Sequence, residues 1–247
     1  GQVSRIKAAI SDLALDFDCE IIDPRYDARR RGEYAEELHE IRGRRGISKS
    51  DAVELLKQST WFAPMMVRKG DADGYLGGVS HNYPDIVKPC LKIIGTSEDA
   101  HRVVGSYMMT VGGQVMFIAD ATININPDAR TLAEIAVRTA RVAKRFGVKP
   151  KVAMLSFSNF GSSGELRTTR IEDSIKMARE IDPEIIIDGP MQADTALVPE
   201  QQKDYPFMTF EGPANVLICP SLASANIAYK LLQRLAGAVS YTHLTLP

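Results

Sequence analysis

The sequence predicts an α/β fold with two domains, mostly parallel sheets and helices on both faces. Continuous apolar runs, such as residues 152–155 and 216–219, have the length of strands that are buried on both faces. Between these runs lie longer segments in which apolar residues recur at helical spacing. Because buried strands that alternate with amphipathic helices are typical of parallel sheets, the pattern favours an α/β architecture.

The first half of the chain is predicted to hold a helix, a short strand and a loop. Ser48 precedes apolar residues at helical spacing and therefore predicts the start of a helix. The apolar residues 65–67, a charged turn and the glycine-rich residues 74–79 indicate a strand followed by a loop. A polar break near residue 95 predicts the boundary between a first α/β domain, residues 1–95, and a second one, residues 96–238.

The second half of the chain predicts a hairpin, three strands and three helices. Two glycines between apolar runs predict the hairpin, at residues 103–119. Thr131 with Glu134, and Thr169 with Glu172, have the spacing of capping boxes, which predicts that a helix begins at each pair. The remaining elements are strands at residues 152–155, 185–187 and 216–219 and a helix at residues 224–235.

The two ends of the sequence stand apart from this pattern. Residues 239–247 continue no strand or helix period, and we expect them to be a non-native tail of the kind that cloning scars leave. The chain opens directly on a helix-like stretch, so we expect an opening strand to be missing from the first domain.

Composition and charge exclude several classes of protein. Lys and Arg together number 30 and Asp and Glu 31, so a net charge of −1 gives no general attraction for nucleic acid. No apolar run approaches the roughly 18 residues that cross a membrane, and no signal peptide opens the chain. We therefore expect a cytoplasmic protein without a nucleic-acid or membrane partner. The three cysteines and four histidines have neither disulfide nor metal-ligand spacing.

A loop rich in serine and glycine follows the predicted strand at residues 152–155. Ligands of open α/β sheets bind at the carboxyl ends of the strands. Small residues there let backbone N–H groups approach an anion, and hydroxyls add donors, which suits a phosphate or diphosphate. An ordinary strand-to-helix turn explains the same composition, so both interpretations stay open. The candidate ligands are Ser156, Ser158, Asn159, Gly161, Ser162 and Ser163.

Charged residues elsewhere are further candidates. His81 and Lys88 follow the glycine-rich residues 74–78 and would hold an acidic ligand, or else lie exposed at the start of a helix. Asp120, Asp188 and Asp194 end or follow predicted strands, where carboxylates bind hydroxyls or accept protons. Asx turns and helix caps are the alternative for these aspartates.

Several ordered motifs resemble the phosphate acetyl/butyryltransferase family. They are residues 62–74, 117–127, 132–136 and 187–194, and the resemblance extends over about residues 3–238. It implies a two-domain fold of the isocitrate/isopropylmalate-dehydrogenase type, with acyl-CoA and phosphate in the cleft between the domains. It also implies acetyl-CoA or CoA as the ligand, no cofactor in this chain, and a homo-oligomer.

Within that family, the serine-rich loop and residues 204–217 and 224–230 are most similar to the transacetylase-like C-terminal region of NADP-dependent malic enzymes. Active transferases carry a lysine in the loop, two substrate-binding arginines, and a Ser-Arg pair followed by Asp near the C-terminus. Here Lys88 stands at one of the arginine positions, so the ammonium group, a point charge, replaces a planar guanidinium. The Ser-Arg segment expected after Ala238 is absent.

This likeness implies an acyl-CoA-binding regulatory and oligomerisation module. It would act in cis with an upstream malic-enzyme domain that holds NADP and a divalent metal and converts malate to pyruvate. The alternatives are an active phosphate acetyl/butyryltransferase and a catalytically inert structural subunit. No catalytic residue is assigned. In each case we expect this chain on its own not to turn over, because its cleft lacks one wall. Asp194, His81, Lys88 and the loop residues are the implied cleft ligands.

Overall fold

The computed structural model describes residues 1–78, 80–96, 102–161 and 166–244, without the side chains of residues 166–168, 243 and 244. The chain divides into two compact units, Gly1–Gly95 and Thr96–Thr245.

The first unit is helical throughout its described elements. Its core consists of fully buried apolar side chains, with Tyr34, Leu38 and Phe62 at the centre. The described elements of this region are helices, and the α/β character predicted for the domain stays a prediction. The helices are α1 (Val3–Asp12), α2 (Ala28–Arg42), α3 (Lys49–Leu55), α4 (Ser59–Lys69) and α5 (Tyr83–Ile93), with a 3₁₀ turn at Gly43–Arg45.

The strand predicted at residues 65–67 lies inside α4, and residues 74–78 form neither helix nor strand. Met65 is fully buried among the other helices of the unit. A short apolar run fits a buried strand and a buried helix equally well, and here helical packing decides between them.

The start of α3 is confirmed as predicted. The Ser48 hydroxyl accepts a hydrogen bond from the Asp51 backbone N–H at 3.1 Å, and the Asp51 carboxylate accepts one from the Ser48 N–H at 3.0 Å. This reciprocal pair is a capping box, which satisfies two backbone donors that the helix leaves unpaired.

The second unit is built on a mixed six-stranded sheet with the order β4-β3-β5-β2-β1-β6. The pairs β2·β5, β5·β3 and β3·β4 are parallel, whereas β1 runs antiparallel to β2 and β6. The strands are β1 (Gly105–Val111), β2 (Gln114–Ala119), β3 (Val152–Leu155), β4 (Ile187–Met191), β5 (Val216–Ile218) and β6 (Val239–Leu244).

Helices cover both faces of this sheet, which confirms the predicted α/β class. Val152 and Met154 of β3 pack with residues of α6 and α7, while Ala153 between them packs on the opposite side with Ala196 and Tyr229. This alternation is what a strand buried on both faces requires. The helices are α6 (Ala129–Arg145), α7 (Leu166–Ile181), α8 (Ala193–Leu197), α9 (Pro199–Gln202) and α10 (Leu222–Leu235).

The predicted hairpin is confirmed as β1 and β2. Val111 pairs with Gln114 across the turn. Gly112 and Gly113 between them have φ angles of 56° and 80°. Two consecutive left-handed residues are what the tightest hairpin turns need, and glycine adopts them without strain.

The capping box predicted at Thr131 and Glu134 is wrong. The cap of α6 is Asp128, whose carboxylate accepts the Thr131 backbone N–H at 2.8 Å. Aspartate is among the strongest N-cap residues, so the helix begins one turn earlier and buries both Thr131 and Glu134.

Other helix and strand boundaries differ from the predicted ones by a few residues. Thr169 and Glu172 lie inside α7, which begins at Leu166, so the second predicted capping box is also wrong. The strand predicted at residues 185–187 runs over Ile187–Met191, and the last helix begins at Leu222 with Ser221 as its cap.

The segment expected to lie outside the fold forms an edge strand. β6 pairs with β1 from Gly105 to Thr110, where β1 would otherwise present unpaired backbone donors and acceptors. Its non-native origin stays a prediction. Within the described ranges, no helix combines the length and apolar character that crossing a bilayer demands.

The apolar stripe of α6 gives a stability prediction. Leu132 is fully buried, so Leu132→Ala should lower the free energy of unfolding by about 2–5 kcal/mol. Leu235→Ala is the matched control, because that leucine is 82% exposed at the end of α10. Urea unfolding measures both, and equal effects of the two substitutions would show that the stripe is not core.

The cysteines give a second prediction. Burial raises the pKa of Cys90 to about 11 and that of Cys219 to about 12, whereas Cys19 is exposed. At pH 8 both buried groups therefore stay as protonated thiols, which are poor nucleophiles. A disulfide reagent should label one thiol in the folded chain and three in urea. Rapid labelling of two or more in the folded chain would contradict this burial.

Candidate functional site

The serine-rich loop after β3 is held against the end of β4. The Ser156 backbone N–H donates to the Met191 carbonyl at 2.8 Å, and the Phe160 N–H donates to the Pro190 carbonyl at 2.7 Å. These two bonds fix the loop at residues 156 and 160 to the carboxyl edge of the sheet. The loop therefore has a defined shape, which is the first requirement for presenting a binding group.

Asn159 fastens the same loop from its side chain. Its Oδ1 accepts the Gln192 backbone N–H at 2.7 Å, and the Gln192 side-chain amide donates to the Phe157 carbonyl at 2.7 Å. The Asn159 carbonyl oxygen is thus occupied by a structural contact.

Phe160 and Gly161 turn the chain with consecutive positive φ angles of 45° and 78°. A phenylalanine in the left-handed region is uncommon, and tertiary packing has to hold it there. The Phe160 ring lies 5.0 Å from that of Tyr205 and 4.9 Å from that of Phe207, measured between ring centroids. The loop consequently presents an aromatic side chain at position 160.

Ser158 is a buried member of the described part of the loop whose hydroxyl remains available. The residue is only 7% exposed, and its Oγ has no hydrogen-bond partner among the described residues. A buried polar group without a partner costs about 1–3 kcal/mol, so native proteins rarely keep one without a use. Ser162 and Ser163 lie outside the described residues.

The three aspartates have mostly structural roles. The Asp120 carboxylate accepts the backbone N–H groups of residues 122–124, which makes an Asx-type turn after β2. Asp188 accepts the N–H groups of Gly189 and Thr209 at 2.9 and 2.7 Å. Asp194 is exposed in the first turn of α8 and bonds the Thr195 N–H.

In the first unit, the structure brings His81 and Lys88 together. Both line a pocket of about 400 Å³, which Trp61, Thr60 and Asp85 also line. Pockets of about 300–1,000 Å³ are the size that small ligands and cofactor fragments occupy. Trp61, Thr60 and Asp85 are not among the residues predicted from the sequence. For Asp85 a signal exists, because Asn82 three positions before it has the spacing of a helix start.

The electrostatics of this pocket combine two helix ends with two side chains. The first turns of α4 and α5 line it, and over the described residues neither helix has a side-chain cap on its N-terminus. Peptide dipoles aligned along a helix give its N-terminus a partial positive charge. Together with the Lys88 ammonium they favour an anion, while the Asp85 carboxylate supplies a proton acceptor.

Arg170 is a further residue that the sequence analysis missed. It lies near the start of α7, and its Nη2 donates to the Pro220 carbonyl at 3.0 Å. Its Nε is buried and unpartnered in the part of the chain that the structure describes. The partner is 50 positions away in the sequence, so no local pattern indicates this contact.

The loop at the sheet edge of the second unit and the pocket of the first unit both present donor groups of the kind that bind anions. The family model described as phosphate acetyl/butaryl transferase matches residues 1–245, and the chain belongs to that family.

The chain is similar to curated phosphate acetyltransferases. It is 41% identical over 191 residues to that of Bacillus subtilis, which covers 77% of this chain and 59% of the relative. It is 36% identical over 242 residues to that of Corynebacterium glutamicum, covering 97% of this chain and 73% of the relative. The chain thus spans about three fifths to three quarters of these relatives.

Solved structures show the same fold. The EutD phosphotransacetylase from Staphylococcus aureus is 35% identical and superimposes with a TM-score of 0.86, covering 100% of this chain and 77% of that one. A phosphotransacetylase from Streptococcus pyogenes gives a TM-score of 0.87 at 35% identity, and the match covers 99% of this chain and 75% of that one.

These findings confirm the family and revise the order of the interpretations within it. The relatives and structures named above are transacetylases, and they support an acyltransferase better than the malic-enzyme module that the sequence analysis put first.

The contact between Asn159 and Gln192 gives a prediction for the loop. Asn159→Ala leaves the Gln192 N–H without its acceptor and should lower the free energy of unfolding by about 1–3 kcal/mol. Asn159→Asp keeps an oxygen at the same place and should cost less. Thermal unfolding measures both, and an alanine variant as stable as the parent would mean that the loop is not fastened by this contact.

Proposed function

We propose that this chain is the acyl-CoA- and phosphate-binding region of a phosphate acyltransferase, which moves an acyl group between CoA and phosphate. The observation that carries the proposal is the match to the family over residues 1–245, together with relatives that are named phosphate acetyltransferases. Because the chain spans only part of those relatives, the activity is proposed for the whole protein.

The reaction sets the demands on the site. The CoA thiol gives up its proton, and the sulfur attacks the carbonyl carbon of an acyl phosphate. A C–S bond then forms as the C–O bond to phosphate breaks, and inorganic phosphate leaves. The protein has to accept the thiol proton and to stabilise negative charge on the carbonyl oxygen and on the departing phosphate.

The pocket of the first unit offers groups for these tasks. The Lys88 ammonium and the N-termini of α4 and α5 would neutralise a phosphate. Asp85 would accept a thiol proton and His81 would donate a hydrogen bond. Lys88 acts as a point charge where an arginine would bind two phosphate oxygens at once, so a lysine holds the phosphate with less geometric definition.

In the second unit, the Ser158 hydroxyl would donate to a phosphate oxygen at the end of β3. This would satisfy the one loop side chain whose buried polar atom lacks a partner within the described residues. The ligands proposed are acyl-CoA and phosphate. A homo-oligomer and a cytoplasmic location belong to the same proposal.

A second candidate function is a protein with the same fold that binds acyl-CoA without catalysing its turnover. The loop sequence, residues 156–164, has no lysine, whereas the resemblance puts a lysine in this loop in active transferases, and Phe160 packs on Tyr205 and Phe207. This favours a module that binds acyl-CoA and regulates an attached malic-enzyme domain. Regulation of that kind needs only a different affinity for two conformational states.

The test is phosphate-dependent release of free thiol from acetyl-CoA by the protein expressed from its complete reading frame. We expect turnover, and Lys88→Ala should raise the KM for phosphate at least tenfold because the pocket loses its ammonium group. Lys88→Arg should retain or improve the activity. Lys49→Ala is the matched control, since Lys49 is exposed in α3 and lies outside the pocket lining.

The outcomes separate the two candidates. A folded protein that binds acetyl-CoA in calorimetry but releases no thiol supports the regulatory module. A folded protein that does neither contradicts both. The 247-residue chain on its own is expected to stay inactive in the same assay.

A further inference from the structure

Two buried hydrogen-bonding atoms of the second unit lack partners at the same edge of its sheet. They are Ser158 Oγ and Arg170 Nε, and no described residue bonds to either. Arg170 also forms no ion pair with any described side chain. One nitrogen of this guanidinium is hydrogen-bonded and another is not. Its unpaired N–H can therefore donate to the acceptor atom of a ligand.

The topology brings these two groups to neighbouring strand ends. β3 and β5 are adjacent and parallel, with Met154 opposite Ile218. Ser158 follows Met154 by four residues, and Pro220, whose carbonyl accepts from Arg170, follows Ile218 by two. Adjacent strands lie about 4.8 Å apart, so the two groups lie at one carboxyl edge.

The contact with Pro220 orients the guanidinium. With Nη2 bonded to the carbonyl, the Nε–H of Arg170 is left for another acceptor. Arg170 is partly exposed as a residue, although its Nε is buried. Planar N–H donors match the oxygens of a phosphate, and a serine hydroxyl adds a further donor.

We infer that Arg170 and Ser158 together bind a phosphate group at the carboxyl edge of the second unit's sheet. Arg170 supplies from α7 a positive charge, which none of the loop residues 156–161 carries. The inference rests on the proposed function for the choice of phosphate among tetrahedral anions. The phosphate group belongs either to the phosphate or acyl phosphate substrate or to CoA.

The test is calorimetric titration of the 247-residue chain with inorganic phosphate. Arg170→Gln should weaken binding at least tenfold, Arg170→Lys less, and Ser158→Ala a few-fold. Arg179→Gln is the matched control, because Arg179 lies on the same helix and also donates to a backbone carbonyl, that of Ile187. Its affinity for phosphate should equal that of the parent.

The inference is overturned if the parent chain binds no phosphate, or if Arg170→Gln binds it as tightly as Arg179→Gln does. Thermal unfolding shows whether each variant is folded. Should Arg170→Gln fail to fold, Arg170→Lys and Ser158→Ala decide: weaker binding in both supports the site, and unchanged binding in both overturns it.

Titrations with CoA and with pantetheine, which lacks phosphate groups, distinguish the two sources. Loss of affinity for inorganic phosphate alone assigns the site to the phosphate substrate. Loss for CoA as well, with pantetheine unaffected, assigns it to the CoA phosphates. Phosphate binding that depends on Arg170 in a protein without transferase activity would leave this site standing while removing the proposed function.

Discussion

Burial of β3 between two parallel neighbours is the constraint on which the second unit depends. Its residues Val152, Ala153 and Met154 are fully covered, and they alternate between the two apolar layers that flank the sheet. A strand covered on both faces can neither slip in register nor tilt without exposing one layer. The carboxyl ends of β3, β4 and β5 are therefore held at one edge, and each loop that leaves this edge starts from a fixed point.

At that edge, hydrogen bonding distinguishes the polar side chains that stabilise the fold from those that are free to bind a ligand. The fastening of the loop to residues 190–192 occupies Asn159, and turn geometry occupies Asp120 and Asp188. Polar groups with satisfied partners contribute to stability, while those left without one are placed to bind something else. Ser158 and Arg170 are two of the buried groups left without a partner within the described residues, and Thr195 Oγ1 in α8 is another. In the first unit, the pocket obtains its charge in another way, from the ends of two helices and from Lys88.

Much of the site was predictable in kind, because residue types restrict chemistry. The serine-rich composition is compatible with an anion loop and with an ordinary turn, and the presence of His81 and Lys88 in one pocket follows from their places before and within α5. The role of each side chain was not predictable. Asn159 is of a residue type that often binds ligands, but its hydrogen bonds stabilise the loop. This role depends on Gln192, which is 33 positions away in the sequence.

The sequence by itself determined the features that neighbours along the chain decide. The paired glycines at 112–113 produced the hairpin, the Ser48 cap began α3, and the apolar runs of β3 and β5 predicted a covered sheet. Tertiary structure alone decided the helical state of residues 65–67, the pairing of β6 with β1, and the contact of Arg170 with Pro220. The reason is physical: caps and turns are stabilised within a few residues, whereas packing, strand pairing and buried donors depend on partners that only the folded chain brings near.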